Sequence, residues 1–287
     1  MVEFLVGSGR ERRWGPDERW GAWFGSGVLD GLVGLLDRFL ATPIDIRPRW
    51  DPFRAALGCV AWLSHPDITA RLAQMATCVV VDKPECASRW HRALHERGQP
   101  FPPQALPGFE HYAPRDADGQ PVVVGPSGPW PPDETPGIGP VRVAGFRGDK
   151  WAPLLHPKML VLGYVYWAAD EFSRERMLFR PELVWWGSAN WTRGAARHIE
   201  VGTYSDDADL LSGATDFLSE VVRLSEPLDT TSIFPEPEFA EVEFDAAAFI
   251  EYLDEYGDSY DEDEAEDAPS VDQSEEYGFL PEEGEPY

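Results

Sequence analysis

The sequence predicts an α/β protein with a mixed, largely parallel sheet that is flanked by helices. Two apolar runs, LGCVAWL (57–63) and TCVVVD (77–82), have the length and composition of buried strands. Helical patterns follow them at 65–75, with Pro66 near the start, and at 84–97. Apolar strands that alternate with helices are typical of βαβ units, in which helices cover the sheet.

Further elements extend this pattern on both sides. An apolar stripe with helical spacing predicts a helix over 28–40. A second amphipathic helix is predicted over 208–224, with Asp206 and Asp207 near its positive start. The segments VRVAGF (141–146) and HIEVGTYS (198–205) are typical of strands.

These elements divide the chain into three predicted regions. Residues 1–54 form an N-terminal arm and a helix, residues 55–225 the α/β domain, and residues 226–287 an acidic tail. The domain contains an irregular insertion at 98–140, which holds 12 of the 27 prolines. Such an insertion fits either a substrate-channel wall or a surface loop without chemical function.

The net charge of −27 is concentrated in the tail. Residues 226–287 contain 23 Asp and Glu and no Lys or Arg, which leaves 28 acidic and 24 basic side chains, a net of −4, in the first 225 residues. The composition predicts that the tail is mostly disordered, with a short helix at 243–253. It fits a solubilising segment, a docking peptide for a basic partner, or an internal competitor for nucleic acid. In the last case, deleting 226–287 raises nucleic-acid affinity.

The remaining composition favours a cytoplasmic protein. No apolar run reaches 18 residues, so no transmembrane helix is expected, and the N-terminal segment does not fit a secretory signal. The three cysteines, Cys59, Cys78 and Cys86, lack metal-site spacing and are expected to be reduced thiols. Four arginines among the tryptophans of residues 1–25 either contact nucleic acid or belong to an arm that packs on the domain or on a second subunit.

The candidate catalytic residues lie between 154 and 200. His156 and Lys158 have i, i+2 spacing in an apolar run, which predicts that they share one face of a strand. Ser188 and Asn190 repeat this spacing at the end of a Val-Trp-Trp run, and Glu200 follows. An imidazole, a cation, two neutral hydrogen-bonding groups and a carboxylate are the groups that a phosphoryl-transfer site needs.

This arrangement resembles the phospholipase D superfamily, whose motif reads HxKxxxxD followed by GSxN. His156 and Lys158 match the HxK, and Gly187, Ser188 and Asn190 match the GSxN. Two departures are the Gly163 that stands where the family has Asp, and the long spacer 164–183, whose ends could pair as a hairpin. Asp170 is a candidate substitute for the missing Asp.

The resemblance implies a phosphodiesterase that needs neither metal nor cofactor. His156 would attack phosphorus, Lys158 and Asn190 would hold the non-bridging oxygens, Ser188 would support them, and Glu200 would orient the imidazole. A second histidine would protonate the leaving oxygen. The chain has only one HxK, so the resemblance implies a homodimer that brings two His156 together.

Five arginines near the motif suggest contacts with the substrate backbone, because guanidinium groups match phosphate oxygens. They are Arg174, Arg176, Arg180, Arg193 and Arg197. Nucleic acid, with DNA favoured, is the expected substrate, and no stable membrane association is expected. The alternatives are a phospholipase or phosphatidyl transferase, and a catalytically degenerate subunit of a bacterial complex such as an antiphage defence assembly.

Overall fold

The computed structural model describes residues 10–14, 20–45, 52–83, 88–124, 137–146, 155–169 and 175–256. It divides the chain into two compact units, Met1–Val123 with Pro129–Glu243, and Val124–Gly128 with Phe244–Tyr287. The helices are α1 (Val28–Ala41), α2 (Pro66–Leu72), α3 (Arg89–Arg97), α4 (Ala208–Arg223) and α5 (Ala246–Tyr256). The strands are β1 (Arg10–Trp14), β2 (Trp20–Gly25), β3 (Phe53–Val60), β4 (Ala76–Asp82), β5 (Gln99–Pro100), β6 (Tyr112–Pro114), β7 (Val123–Val124), β8 (Val141–Ala144), β9 (Lys158–Ala169), β10 (Glu175–Gly187), β11 (Glu200–Ser205), β12 (Glu226–Pro227), β13 (Phe239–Glu241) and β14 (Glu243–Phe244).

A ten-stranded mixed sheet forms the centre of the first unit. Its strand order is β1-β2-β11-β10-β9-β3-β4-β8-β12, with β5 beside β4. The mixed α/β class is therefore confirmed. The expectation that the sheet is largely parallel is wrong, because its parallel pairings are confined to those of β4 with β3, β5 and β8. Among the described strands of this sheet, every other pairing is antiparallel.

Apolar side chains cover both faces of this sheet. Alternate residues of β3 point to opposite faces, so that Ala56 and Val60 join the core beneath α1 and α2. Leu57 and Cys59 join a second core with α4 and the proline-rich segment after β5. The thiols of Cys59 and Cys78 are free and buried, and burial raises the pKa of each to about 12. Cys86 lies outside the described residues.

The N-terminal arm is part of the sheet. β1 and β2 form an antiparallel hairpin, and β2 pairs with β11. Trp23 is buried, with ring centroids 5.2 Å from Trp185 and 5.4 Å from Tyr204. Trp23 therefore packs on the domain, as one of the two sequence interpretations expects.

The predicted start of the tail is too early. Glu226 is buried, and its carboxylate accepts hydrogen bonds from Lys83 Nζ at 2.8 Å to each oxygen. β12 pairs with β8, and β13 pairs with β6. Residues 226–243 thus belong to the first unit. The buried Lys83–Glu226 pair and the buried side chains of Leu228 and Phe239 hold them there.

The second unit contains the predicted short helix. α5 begins after Asp245, whose carboxylate accepts from the backbone N–H groups of Ala247 and Ala248, each at 3.0 Å. Its Phe249 and Ile250 are exposed. Of the tail predicted over 226–287, residues 257–287 lie outside the described residues. Across the described ranges, the helices are too short or too polar to cross a membrane.

Candidate active site

Four strands bring the predicted catalytic residues to one end of the sheet. Lys158 begins β9 opposite Val60, the last residue of β3. Ser188 directly follows β10, and Glu200 begins β11. Because β3, β9, β10 and β11 are antiparallel to their neighbours in this order, the starts of β9 and β11 meet the ends of β3 and β10.

Lys158 is a buried cation at this end of the sheet. Its side chain is 6% exposed, and Nζ donates a hydrogen bond of 2.6 Å to the carbonyl oxygen of His156. Burial lowers the pKa of Lys158, and the nearby Glu200 carboxylate acts in the opposite direction. A cation that the fold retains against this desolvation is typical of a functional site.

Ser188 and Glu200 are held together by hydrogen bonds. Ser188 Oγ donates to Glu200 Oε2 and accepts from the backbone N–H of Val201 at 3.0 Å. The Ser188 N–H donates to the Val201 carbonyl at 2.9 Å. Glu200 Oε1 lies 3.7 Å from His198 Nδ1. The Glu200 carboxylate is thus placed against Ser188 and His198, with the Lys158 charge nearby, and the described contacts do not join it to His156.

Asn190 is fixed by the turn that follows β10. The next residue, Trp191, is fully buried, and its carbonyl accepts from the backbone N–H groups of Ser64 and His65 at 2.8 and 2.9 Å. This links the Asn190 turn to the end of β3. Within the described part of the chain, the buried Asn190 Oδ1 has no hydrogen-bond partner. An unpaired buried amide oxygen is costly, and such groups occur at binding sites.

The spacing of His156 and Lys158 predicts that they share one face of a strand, and this prediction is wrong. β9 begins only at Lys158, so His156 lies in the irregular segment before it and is exposed, whereas Lys158 points inward. The His156 imidazole is accessible to a substrate. The contact between the two residues is the hydrogen bond from Lys158 Nζ to the His156 carbonyl oxygen, not a shared strand face.

The arginines separate into two groups. Arg193 and Arg197 are exposed in the turn between β10 and β11, close to the site. Arg180 forms an exposed ion pair with Glu182 in β10, and at about 3.3 Å per residue it lies roughly 25 Å from Ser188. Arg176 lies farther along the same strand. Within one chain, Arg176 and Arg180 are not brought to the site; Arg174 lies outside the described residues.

Gly163 stands where the motif has Asp because the backbone leaves no room for a side chain. It lies in β9 opposite Pro181, beside a β-bulge of β10. A Cβ here would lie 2.2 Å from the Arg180 carbonyl oxygen and 2.9 Å from the Pro181 Cα. The departure is therefore a packing requirement of the hairpin that β9 and β10 form. Asp170, the suggested substitute, lies outside the described residues.

We expect Gly163→Ala to lower the free energy of unfolding by about 1–3 kcal/mol, because backbone atoms of Arg180 and Pro181, together with the Phe179 ring, occupy the space. Gly213 of α4 is the matched control, since nothing lies within 4 Å of a Cβ there. Gly213→Ala should stabilise the protein by about 0.5–1 kcal/mol. Urea unfolding of both variants checks this, and equal effects would contradict it.

Sequence reasoning missed His198 as a site residue because it is not part of an HxK pattern. Its signal was its position two residues before Glu200. His65 lies immediately before α2, at the start of the helix predicted over 65–75. Burial lowers the pKa of His65 and favours its neutral form. Among the described side chains, no group of three or more His, Cys, Asp or Glu is placed to hold a metal ion.

Two solved structures are similar to this chain. No family model and no curated protein matches this chain. NucT from Helicobacter pylori is similar over 72% of this chain and 99% of its own, with 12% identity and a TM-score of 0.40. Nuc from Salmonella typhimurium, a phospholipase D family member, is similar over 72% of this chain and 97% of its own, with 12% identity and a TM-score of 0.39.

Proposed function

We propose that this protein is a metal-independent phosphodiesterase that cleaves nucleic acid through a phosphohistidine at His156. One observation carries the proposal: the end of the sheet that holds the buried Lys158 ammonium also holds the Ser188–Glu200 pair, and Asn190 follows Ser188 by two residues. An exposed imidazole lies two residues from the ammonium. This placement of the residues that resemble the phospholipase D motif supports the proposal.

The reaction would proceed in two displacements. A nitrogen of His156 attacks phosphorus, the N–P bond forms, and the bond to the leaving oxygen breaks while a second histidine donates a proton to that oxygen. The second histidine then takes a proton from water, which attacks phosphorus and releases His156. The Lys158 ammonium and the Asn190 side-chain N–H stabilise the charge on the non-bridging oxygens.

Two histidines are candidates for the second role. The first is His156 of a second copy, which requires a homodimer. The site end of the sheet is suited to such an interface, because Phe24 and Val201 are opposite each other on β2 and β11 and are 55% and 37% exposed, next to the exposed Ile199. The second candidate is His198 of the same chain, whose Nδ1 lies 3.7 Å from Glu200.

We favour the homodimer, because His156 then serves both roles. In that case His198→Asn keeps most of the activity, and native mass spectrometry gives twice the chain mass of 32.2 kDa. A monomer that loses its activity with His198→Asn would assign the second role to His198 and exclude the dimer.

The test of the function is an assay in excess chelator with single-stranded DNA, duplex DNA, RNA and phospholipid vesicles as parallel substrates. We expect cleavage of nucleic acid and no lipid hydrolysis. Lipid hydrolysis alone would indicate a phospholipase. No hydrolysis of any substrate, with chelator or with added Mg²⁺, would indicate the degenerate subunit.

The pH dependence of cleavage tests the role of Glu200. Burial lowers the pKa of Lys158 while Glu200 raises it, so Glu200→Gln should lower the pKa of Lys158 further. Lys158 then loses its proton at lower pH, and the alkaline fall of the pH–rate profile should move to lower pH. Ser188→Ala keeps the Glu200 charge and should reduce the rate without moving this limb. If the alkaline fall of the pH–rate profile lay at the same pH in wild type and in Glu200→Gln, Glu200 would not hold up the pKa of Lys158.

A further inference from the structure

A cleft of about 230 Å³ lies beside the candidate active site. It is lined by Trp62, Leu63, Ser64, Ser88 and Thr192, and we call it the Trp62 cleft. Two of its walls continue from the site. Trp62 is two residues beyond Val60, which pairs with Lys158, and Thr192 is two residues beyond Asn190. A bridge between Leu63 and Trp191 joins these walls.

The lining of the Trp62 cleft combines an aromatic ring with hydroxyl groups. The Trp62 side chain is 49% exposed, whereas tryptophan side chains in folded proteins are highly buried on average. Ser88 Oγ accepts from the Trp90 N–H at 3.2 Å, and Thr192 Oγ1 accepts from the Ala195 N–H at 3.2 Å. These bonds fix both oxygens and leave each O–H to act as a donor.

Two arginines directly follow lining residues of the Trp62 cleft in the sequence. Arg89 directly follows Ser88 at the start of α3, and Arg193 directly follows Thr192. Both are exposed, and their guanidinium carbons lie 4.7 and 6.0 Å from the ring centroid of Trp90. Two cations from separate elements thus lie near the indole of Trp90, whose backbone N–H donates to the lining residue Ser88.

We propose that the Trp62 cleft binds an unpaired base of single-stranded nucleic acid next to the phosphate that is cleaved. The base stacks on Trp62, the hydroxyl groups contact its edge, and Arg89 and Arg193 bind adjacent phosphates. A base inside a duplex is stacked on both faces and cannot present a face to Trp62. The inference rests on the proposed function and deepens it, since it selects single strands over duplex and over lipid.

Lipid fits this lining less well. An acyl chain would leave the hydroxyl groups without partners, and a lipid headgroup would use the arginines but not the exposed indole. Stacking on an aromatic ring beside positive charge is the combination that single-stranded nucleic acid uses. Charge complementarity therefore identifies the occupant.

The test measures binding without cleavage, in the full chain with His156→Asn. The probes are a labelled single-stranded DNA octamer, the same octamer with abasic sites, the matching duplex, and anionic phospholipid vesicles. Adding Trp62→Ala should weaken octamer binding about 5- to 150-fold, which is the cost of one lost base stack. Trp62→Phe should recover most of the affinity, which a merely unfolded variant would not do. Arg89→Gln and Arg193→Gln should each reduce the salt dependence of binding by about one phosphate contact.

Trp20 provides the matched control. It is 36% exposed, and it lies at the end of β2 away from Gly25, which pairs with Glu200. Trp20→Ala should leave octamer binding unchanged. The proposal would be overturned if Trp62→Ala left octamer binding unchanged, or if the abasic octamer bound as tightly as the intact octamer. Tighter binding to duplex or to vesicles than to the octamer would also overturn it. If the protein had no hydrolytic activity but its octamer binding depended on Trp62, the proposed function would be rejected and the Trp62 cleft would remain a base-binding site.

Discussion

Replacing His156 with asparagine is expected to reduce nucleic-acid cleavage by at least about 1,000-fold, because the variant has no nucleophile to form the N–P bond. Asparagine keeps a polar side chain of similar reach, and the exposed position of His156 means that the fold should tolerate the change. The measurement is the single-turnover rate on a labelled oligonucleotide in excess chelator, with thermal unfolding followed in parallel.

His111→Asn is the control for this experiment. His111 is also exposed, and it belongs to a 3-10 turn, Phe109–His111, that the site does not use. Its variant should cleave at the wild-type rate. If His156→Asn retained more than a tenth of the wild-type rate, or if His111→Asn lost as much as His156→Asn, His156 would not be the nucleophile.

Breaking the Lys83–Glu226 pair should have the largest effect on stability. Lys83 and Glu226 are 0% and 1% exposed, and Lys83 Nζ also donates to the Phe234 carbonyl at 2.6 Å. Lys83→Met leaves the Glu226 carboxylate buried without its cation, which should cost about 3–5 kcal/mol of the free energy of unfolding. Urea unfolding measures this cost.

The exposed pair Arg180–Glu182 is the matched control, with side chains that are 54% and 34% exposed. Arg180→Gln should cost less than about 1 kcal/mol, because water screens that pair. The double variant Lys83→Met with Glu226→Leu should recover part of the loss, since it removes both buried charges. A cost for Lys83→Met no greater than that for Arg180→Gln would show that the pair does not anchor residues 226–243.

The sequence predicts elements better than it predicts their pairing. The run 57–63 overlaps β3, and Asp207 caps α4 by accepting from the Leu210 N–H at 3.0 Å, as its position predicts. The direction of β9 could not be predicted in the same way. A strand that is buried on both faces has a continuous apolar sequence whether its neighbours are parallel or antiparallel. The alternation of strands with helices therefore predicted more parallel pairings than the sheet has.

The site was predictable because its residues are close in sequence as well as in space. His156 and Lys158 are two residues apart, and Ser188 and Glu200 are joined through one strand pairing. The same nearness in sequence misled for Arg180, because the β9–β10 hairpin carries it away from the site. The Lys83–Glu226 contact joins residues 143 positions apart, and neither apolar spacing nor local charge indicates such a pair.

The most direct measurement of the mechanism is the mass of the protein after it reacts with a short oligonucleotide and is quenched within one turnover in alkaline denaturant, which preserves phosphoramidate bonds. We predict a covalent adduct of one cleaved fragment per reacting site, located on the peptide that contains His156 and absent from His156→Asn. An adduct on another residue, or product formed at the wild-type rate without any adduct, would contradict it.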